Sequence, residues 1–245
     1  MELRTILITL MTIVIVGIVM LLVYEFVYNG GSGGVFSSNP VSPVKTSAPL
    51  IDALHDGRDY LKIDTTLPQS KNEENGIEFS FAASIYVDDY DWTPSSSAPI
   101  VFVKGSSDLS RQSPSVTLRK NRNEIHIVQD TYNSTKPGVV VIRNLPANKI
   151  ISLVITIKQQ SMDVYVNGTL HTHLTLAALP MQNTGSVMVG DNGGWSGAIG
   201  NFTYYNYALS YPEIQALNNK RPQRNPNDIP ASGAFFGTDW WVRPL

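Results

Sequence analysis

Chemistry in a chain without cysteine must come from carboxylates, histidines, hydroxyls and amides. This chain has no cysteine, so thiolate nucleophiles, zinc-thiolate sites and disulfides are excluded. The first carboxylate candidate is the segment Glu124-Ile125-His126-Ile127-Val128-Gln129-Asp130. Glycoside hydrolysis by a nucleophile and a general acid needs two carboxyl groups about 5 Å apart. Glu124 and Asp130 are six residues apart on a predicted strand, which is the wrong spacing for that pair. His171 and His173 stand at i and i+2, so on a strand both rings point to one face and could begin a metal site. No third ligand can be named, and a solvated strand face is the favoured reading.

Asp88, Asp89 and Asp91 cluster beside Trp92 in DDYDWTPSSSA. Carboxylates in a loop suit calcium, a hard cation that takes six to eight oxygens. Asp191 and Asn192, beside Trp195 in GDNGGWSG, are further candidate ligand residues. An acidic, solvated loop is the favoured reading; Trp92 and Trp195 could stack on a sugar ring, against the favoured reading that they pack in the core or anchor turns. Ca2+ is the one ion this pattern could hold, and no organic cofactor is called for. No P-loop or His-Glu-x-x-His is present, and the Gly-x-Ser-x-Gly spacing occurs only at 30–34, in the Gly/Ser/Pro stretch and not at a strand-to-helix elbow. Sequons occur at Asn133, Asn167 and Asn201 and are usable only in a secretory lumen. With a formal charge of -2 and no basic block, the chain has no electrostatic grip for nucleic acid.

These residues need elements to position them. Ile77, Phe79, Phe81, Ala83, Ile85 and Val87 alternate with Glu78, Ser80, Ser84 and Tyr86, which predicts a strand with one buried face. IISLVITIKQ and MDVYVN repeat the pattern. Further strands are expected at Pro99–Lys104, Ser115–Arg119, Glu124–Gln129, Gly138–Arg143, Ser186–Gly190 and Gly197–Tyr205. Asn167-Gly168 is the strongest hairpin signal in the chain. Short strands with regular turns predict an all-β, two-sheet antiparallel sandwich. One short helix should follow Ser210, with Glu213 closing a capping box and Ile214 and Leu217 facing the core.

Outside the sandwich, Thr5–Tyr24 carries no charge and no proline. Twenty helical residues rise about 30 Å, the thickness of a bilayer's hydrocarbon layer. The run is longer than a signal-peptide core and lacks a small-residue cleavage site. The expectation is an uncleaved single-pass anchor over 1–28, with Arg4 on the cytoplasmic side and Lys45 the first basic residue beyond. A Gly/Ser/Pro linker over 29–49 would hold the sandwich, 50–220, tens of Å from the surface. The stretch 221–245 is Pro-rich, yet Phe235, Phe236, Trp240 and Trp241 are too apolar for an idle tail. They either pack back on the sandwich or dock on a partner.

MDVYVNGTL resembles the YVNG hairpin of the laminin-G/concanavalin-A-like superfamily. GSVMVGDNGGWSGAIGNFTYYNYALSYPEIQAL resembles that family's closing stretch, a glycine-rich strand end and aromatic-Ser-Gly turn leading into a short helix. IEFSFAASIYV, APIVFVKG and NKIISLVITIK are similar to its earlier strands, in order. The resemblance spans about Asp59 to Leu217 and implies a jelly roll. Family glucanases carry a strand with E-x-D-x-x-E, and here His126 replaces the central aspartate, which speaks against hydrolysis. What the resemblance implies instead is a non-enzymatic module for protein partners, or a glycan- or calcium-dependent one. The anchor, domain and tryptophan-ended tail together also resemble membrane-anchored proteins of large DNA viruses of algae and amoebae. That implies a minor capsid protein linking a virion's inner membrane to capsid or envelope proteins; otherwise it sits on a cell or endomembrane surface.

Overall fold

The structure is a computed structural model, and it describes residues 3–28, 44–88, 98–119, 122–133, 135–220 and 222. It forms two units, Met1–Ser42 and Pro43–Leu245. In the first, α1 runs over Leu3–Tyr28. The side chains described from Leu10 to Leu21 are all exposed. No helix among the described residues is long and apolar enough to cross a membrane. The predicted helix is present over Leu3–Tyr28.

The second unit is the all-β sandwich. Its strands are β1 (Ser47–Ile51), β2 (His55–Asp56), β3 (Leu61–Ile63), β4 (Lys71–Glu73) and β5 (Gly76–Val87). There follow β6 (Ile100–Gly105), β7 (Gln112–Arg119), β8 (Arg122–Gln129), β9 (Gly138–Ile142) and β10 (Ile150–Lys158). The last are β11 (Ser161–Val166), β12 (Thr169–Thr175), β13 (Ser186–Asp191) and β14 (Gly197–Tyr205), before helix α2 (Tyr211–Asn219). One sheet has the order β1-β14-β5-β10-β11-β12, with β2 on β14 and β4 on β5; the other runs β3-β13-β6-β7-β8-β9. All the strand pairings are antiparallel.

The inner faces meet through aromatic rings. Phe81 and Phe202 from the first sheet stack on Phe102 from the second, with the Phe102–Phe202 centroids 4.6 Å apart. Burying each such side chain contributes about 1.5–3 kcal/mol. The alternation on β14 changes parity, because Ile199 and Phe202 both enter the core. A bulge between Gly200 and Thr203, with Asn201 at φ 46°, supplies the extra residue.

Three differences from the sequence reading have physical causes. The second face of β5 is not solvated: Ser80 and Ser84 are buried as fully as their neighbours. Leu209 and Ile214 cover that face, packing on Ala82 and Val154. The Ser80 hydroxyl accepts from the Leu209 N–H and donates to the Tyr207 carbonyl, so a polar strand face is satisfied under a helix. The helix itself starts where the sequence put it, with the Ser210 backbone N–H donating to the Glu213 carboxylate at 2.7 Å. Secondly, β1 begins at Ser47, inside the stretch read as linker. It is an edge strand beside β14, the sheet position at which a proline such as Pro49 is tolerated. Thirdly, β2, β3 and β4 are two or three residues long, too short for a periodic signal.

Candidate ligand sites at the two ends of the sandwich

One end is built around Trp195. Asn192, Gly193 and Gly194 take φ of 56°, 85° and 62°, a left-handed run that turns the chain back after β13. This turn drives Trp195 into the sandwich, where it is 1% exposed. Its Nε1 donates to the Tyr86 carbonyl at 3.0 Å and its backbone N–H to the Gly57 carbonyl at 3.1 Å. Trp195 therefore has no free face for a sugar ring. Asp88 Oδ2 accepts from the Ser196 hydroxyl at 3.2 Å, and Ser196 accepts in turn from Arg58. Asp191 caps the adjacent turn through the Asn192 N–H, and Asn192 Nδ2 reaches the Ala98 carbonyl at 3.5 Å. The structure thus brings Asp88, Asp191, Asn192 and Trp195 to one rim. Asp89, Asp91 and Trp92 fall outside the described residues. Among the described residues no three His, Cys, Asp or Glu side chains converge on a metal position.

The opposite end carries a pocket of about 320 Å³. It is lined by 64–69, Lys104 and 182–186. Lys104 stands opposite Val187 in the β6–β13 pair, and Val187 belongs to the core. Phe102 and Lys104, two residues apart, share the inward face. The lysine stem runs between the sheets, and the residue is 7% exposed. Its Nζ donates to the Asn183 carbonyl at 3.0 Å and to the Gly185 carbonyl. Desolvation by burial pushes its pKa down. Around it, Gln182 accepts from Ser70 and donates to the Tyr204 hydroxyl, while Asp64 accepts from Ser186 and pairs with Lys62 at 3.1 Å. Sequence reading missed Lys104 as a site residue. The available signal was a lysine that continues the inward parity of a strand, next to a loop rich in Thr, Gln and Asn.

The hydrolytic candidates do not come together. Along an extended strand Glu124 and Asp130 lie about 20 Å apart, well outside any glycosidase spacing. Burial raises the Glu124 pKa, but hydrogen bonds from His126 and Arg143 and the charges of Arg122 and Arg143 hold it below the usual value. A general acid needs the opposite shift. His171 and His173 lie on exposed β12, where a bulge inserts His171 out of register and His173 pairs with Asp163.

The sequon asparagines lie apart, Asn133 in a bend, Asn167 in the β11–β12 turn and Asn201 at the bulge of β14. Asn133 accepts from Thr135, Asn167 at the β11–β12 hairpin accepts from the Ser152 N–H, and Asn201 donates to the Lys220 carbonyl. Phe235, Phe236, Trp240 and Trp241 lie outside the described residues.

Residues 55–215 match the family Laminin_G_3, the concanavalin A-like lectin/glucanases superfamily. Among solved structures, the binding domain of botulinum neurotoxin serotype D is similar at 13% identity and a TM-score of 0.50, over 71% of this chain and 42% of that one. The type G receptor binding domain is similar at 18% identity and a TM-score of 0.46, over 68% and 46%. A Trypanosoma rangeli sialidase is similar at 18% and 0.42, over 58% and 22%. The chain spans less than half the length of each of these structures. At 13% identity the likeness to the serotype D domain is one of fold. No curated protein matches the sequence.

Proposed function

The chain belongs to the concanavalin A-like lectin/glucanases superfamily, and on that footing we propose that it is a membrane-anchored, non-catalytic binding protein whose sandwich takes a glycan. The observation that carries the reading is the contrast between the two kinds of site. The polar pocket at Lys104 is lined with hydroxyl and amide side chains suited to sugar hydroxyls. The carboxylates available for hydrolysis are separated, and Glu124 is held ionised by His126 and Arg143. Binding without turnover is what such an arrangement supports. The uncharged stretch Thr5–Tyr24 within α1 supports the anchor. The test is a glycan array probed with the full-length protein in lipid nanodiscs, alongside an assay for released sugar. Specific binding with no release supports the proposal; turnover that disappears in Glu124→Gln overturns it.

A second reading is favoured by the aromatic tail. Phe235, Phe236, Trp240 and Trp241 close the sequence in a Pro-rich segment, and a docking role would make the protein a structural link between a membrane and a shell, as in a virion with capsid or envelope partners. Calcium at the Asp88 rim belongs to the same tier of proposals. Deleting 235–245 tests the tail: normal assembly of the truncated protein into its native complex removes the docking role. Calcium titration of the full chain tests the rim: an unchanged unfolding temperature removes the ion.

A further inference from the structure

We propose that the pocket beside Lys104 binds a sugar bearing a carboxylate, with the Lys104 ammonium taking the carboxylate and the surrounding hydroxyl and amide groups taking the ring hydroxyls. This rests on the glycan reading above and names its ligand class.

The charge is the first observation. Lys104 is more than nine-tenths buried, and among the described residues no carboxylate lies within ion-pair distance of its Nζ. An ammonium has three N–H donors, and two are used, by the carbonyls of Asn183 and Gly185. Pinning that loop needs donors only. A buried charge carries a desolvation cost that carbonyl oxygens repay only in part. Burial also holds the lysine pKa below its usual value, the state an arriving anion relieves.

The pocket fits the rest of the ligand. Its volume of about 320 Å³ sits at the small end of ligand cavities, roughly 300–1,000 Å³, which suits one sugar unit. Thr65, Thr66, Gln69, Asn183, Thr184 and Ser186 offer hydroxyls and amides, while Leu67 and Pro68 offer an apolar wall for ring C–H groups. The one carboxylate lining the pocket, Asp64, is 64% exposed in its side chain and already engaged by Lys62 and Ser186. Solvent screens it more than it screens the buried Lys104 charge. One buried cation with one rim carboxylate matches a monoanion and disfavours a phosphate dianion.

The experiment uses the full-length protein in nanodiscs at pH 7, titrated by saturation-transfer NMR. The probes are glucuronic acid and N-acetylneuraminic acid, with glucose, galactose and inorganic phosphate as comparisons. The expected result is binding of an acidic sugar at least tenfold tighter than any neutral sugar or phosphate. Lys104→Met should weaken it at least tenfold, and Asp64→Asn should tighten it a few-fold. Should Lys104→Met unfold the sandwich, Thr66→Tyr fills the pocket without touching the lysine's carbonyl bonds and should abolish binding at an unchanged unfolding temperature. Equal binding of acidic and neutral sugars, equal displacement by phosphate, or full binding by a folded Lys104→Met or Thr66→Tyr protein overturns the inference. Array glycans bound while both acidic probes fail would sink it and leave the glycan function standing; no glycan bound at all removes both.

Discussion

The indole of Trp195 occupies the space that a side chain at position 57 would need. An ideal Cβ on Gly57 would lie 2.5 Å from both Cδ2 and Cε2 of Trp195. The ring is fixed from the other side by its Nε1 bond to Tyr86, so it has no room to retreat. Gly57→Ala should therefore destabilise the sandwich by about 1–3 kcal/mol, the usual cost of overpacking a core. Denaturant unfolding measures the loss, and tryptophan fluorescence should shift as the indole is displaced. A variant as stable as the parent would show that the turn around Gly57 gives way freely.

Asn206 sets where the sandwich begins. Its Oδ1 accepts from the Thr46 N–H at 2.8 Å, and its Nδ2 donates to the carbonyls of Val44 and Gln69. The residue is 2% exposed. Asn206→Ala leaves three backbone groups without partners, at about 1–3 kcal/mol for a group that stays buried. Limited proteolysis should then cut faster within 44–51 than it does in the parent. Unchanged protection there would show that β1 pairing alone holds the segment.

The sandwich was legible because its long strands alternate cleanly. Phe79, Phe81, Ile155 and Ile157 declare their faces, and the predicted Gly197–Tyr205 strand is the observed β14. What stayed hidden lacked a periodic signal. Pro49 disguised an edge strand as linker, and Ser80 looked solvent-facing because its partners, Tyr207 and Leu209, lie more than a hundred residues away. The same long separation hid the pocket. Pairing of β6 with β13 brings the Lys104 ammonium to the loop carbonyls of Asn183 and Gly185, which no local pattern announces. Asp88, Asp191, Asn192 and Trp195, grouped in the sequence reading as candidate ligand residues, lie near one end of the sandwich, yet Trp195 points inward because its partner is a glycine.

The start of α2 should respond to acid. Burial raises the Glu213 pKa, but hydrogen bonds from the Ser210 hydroxyl and backbone and from the Tyr207 hydroxyl, with the charge of Lys45, bring it below its usual 4.5. A depressed folded pKa means the contribution is fully present above the unfolded value near 4.5 and is lost as pH falls through the folded value. Glu213→Gln should remove this acid-sensitive part, and Glu213→Ala should cost about 1 kcal/mol at pH 7. Urea unfolding from pH 7 to pH 3 checks both; parallel pH profiles for parent and Glu213→Gln would refute the linkage.

The anchor proposal makes a separate demand on α1. Its described side chains from Leu10 to Leu21 present apolar surface on every side, with Val16 52% exposed and Met20 71% exposed. An all-round apolar helix is stable only inside protein or lipid. If lipid covers α1, an arginine at its middle opposes insertion by about 2.5–3.5 kcal/mol, enough to shift a marginal partition and too little to abolish a strong one. Val16→Arg alone should reduce the carbonate-resistant membrane fraction partly, and Val16→Arg with Val19→Arg should release most of the protein. The sandwich should keep its unfolding midpoint in both, since neither position lies in 43–245. Full carbonate resistance in the double variant would mean that something other than α1 holds the chain to the membrane.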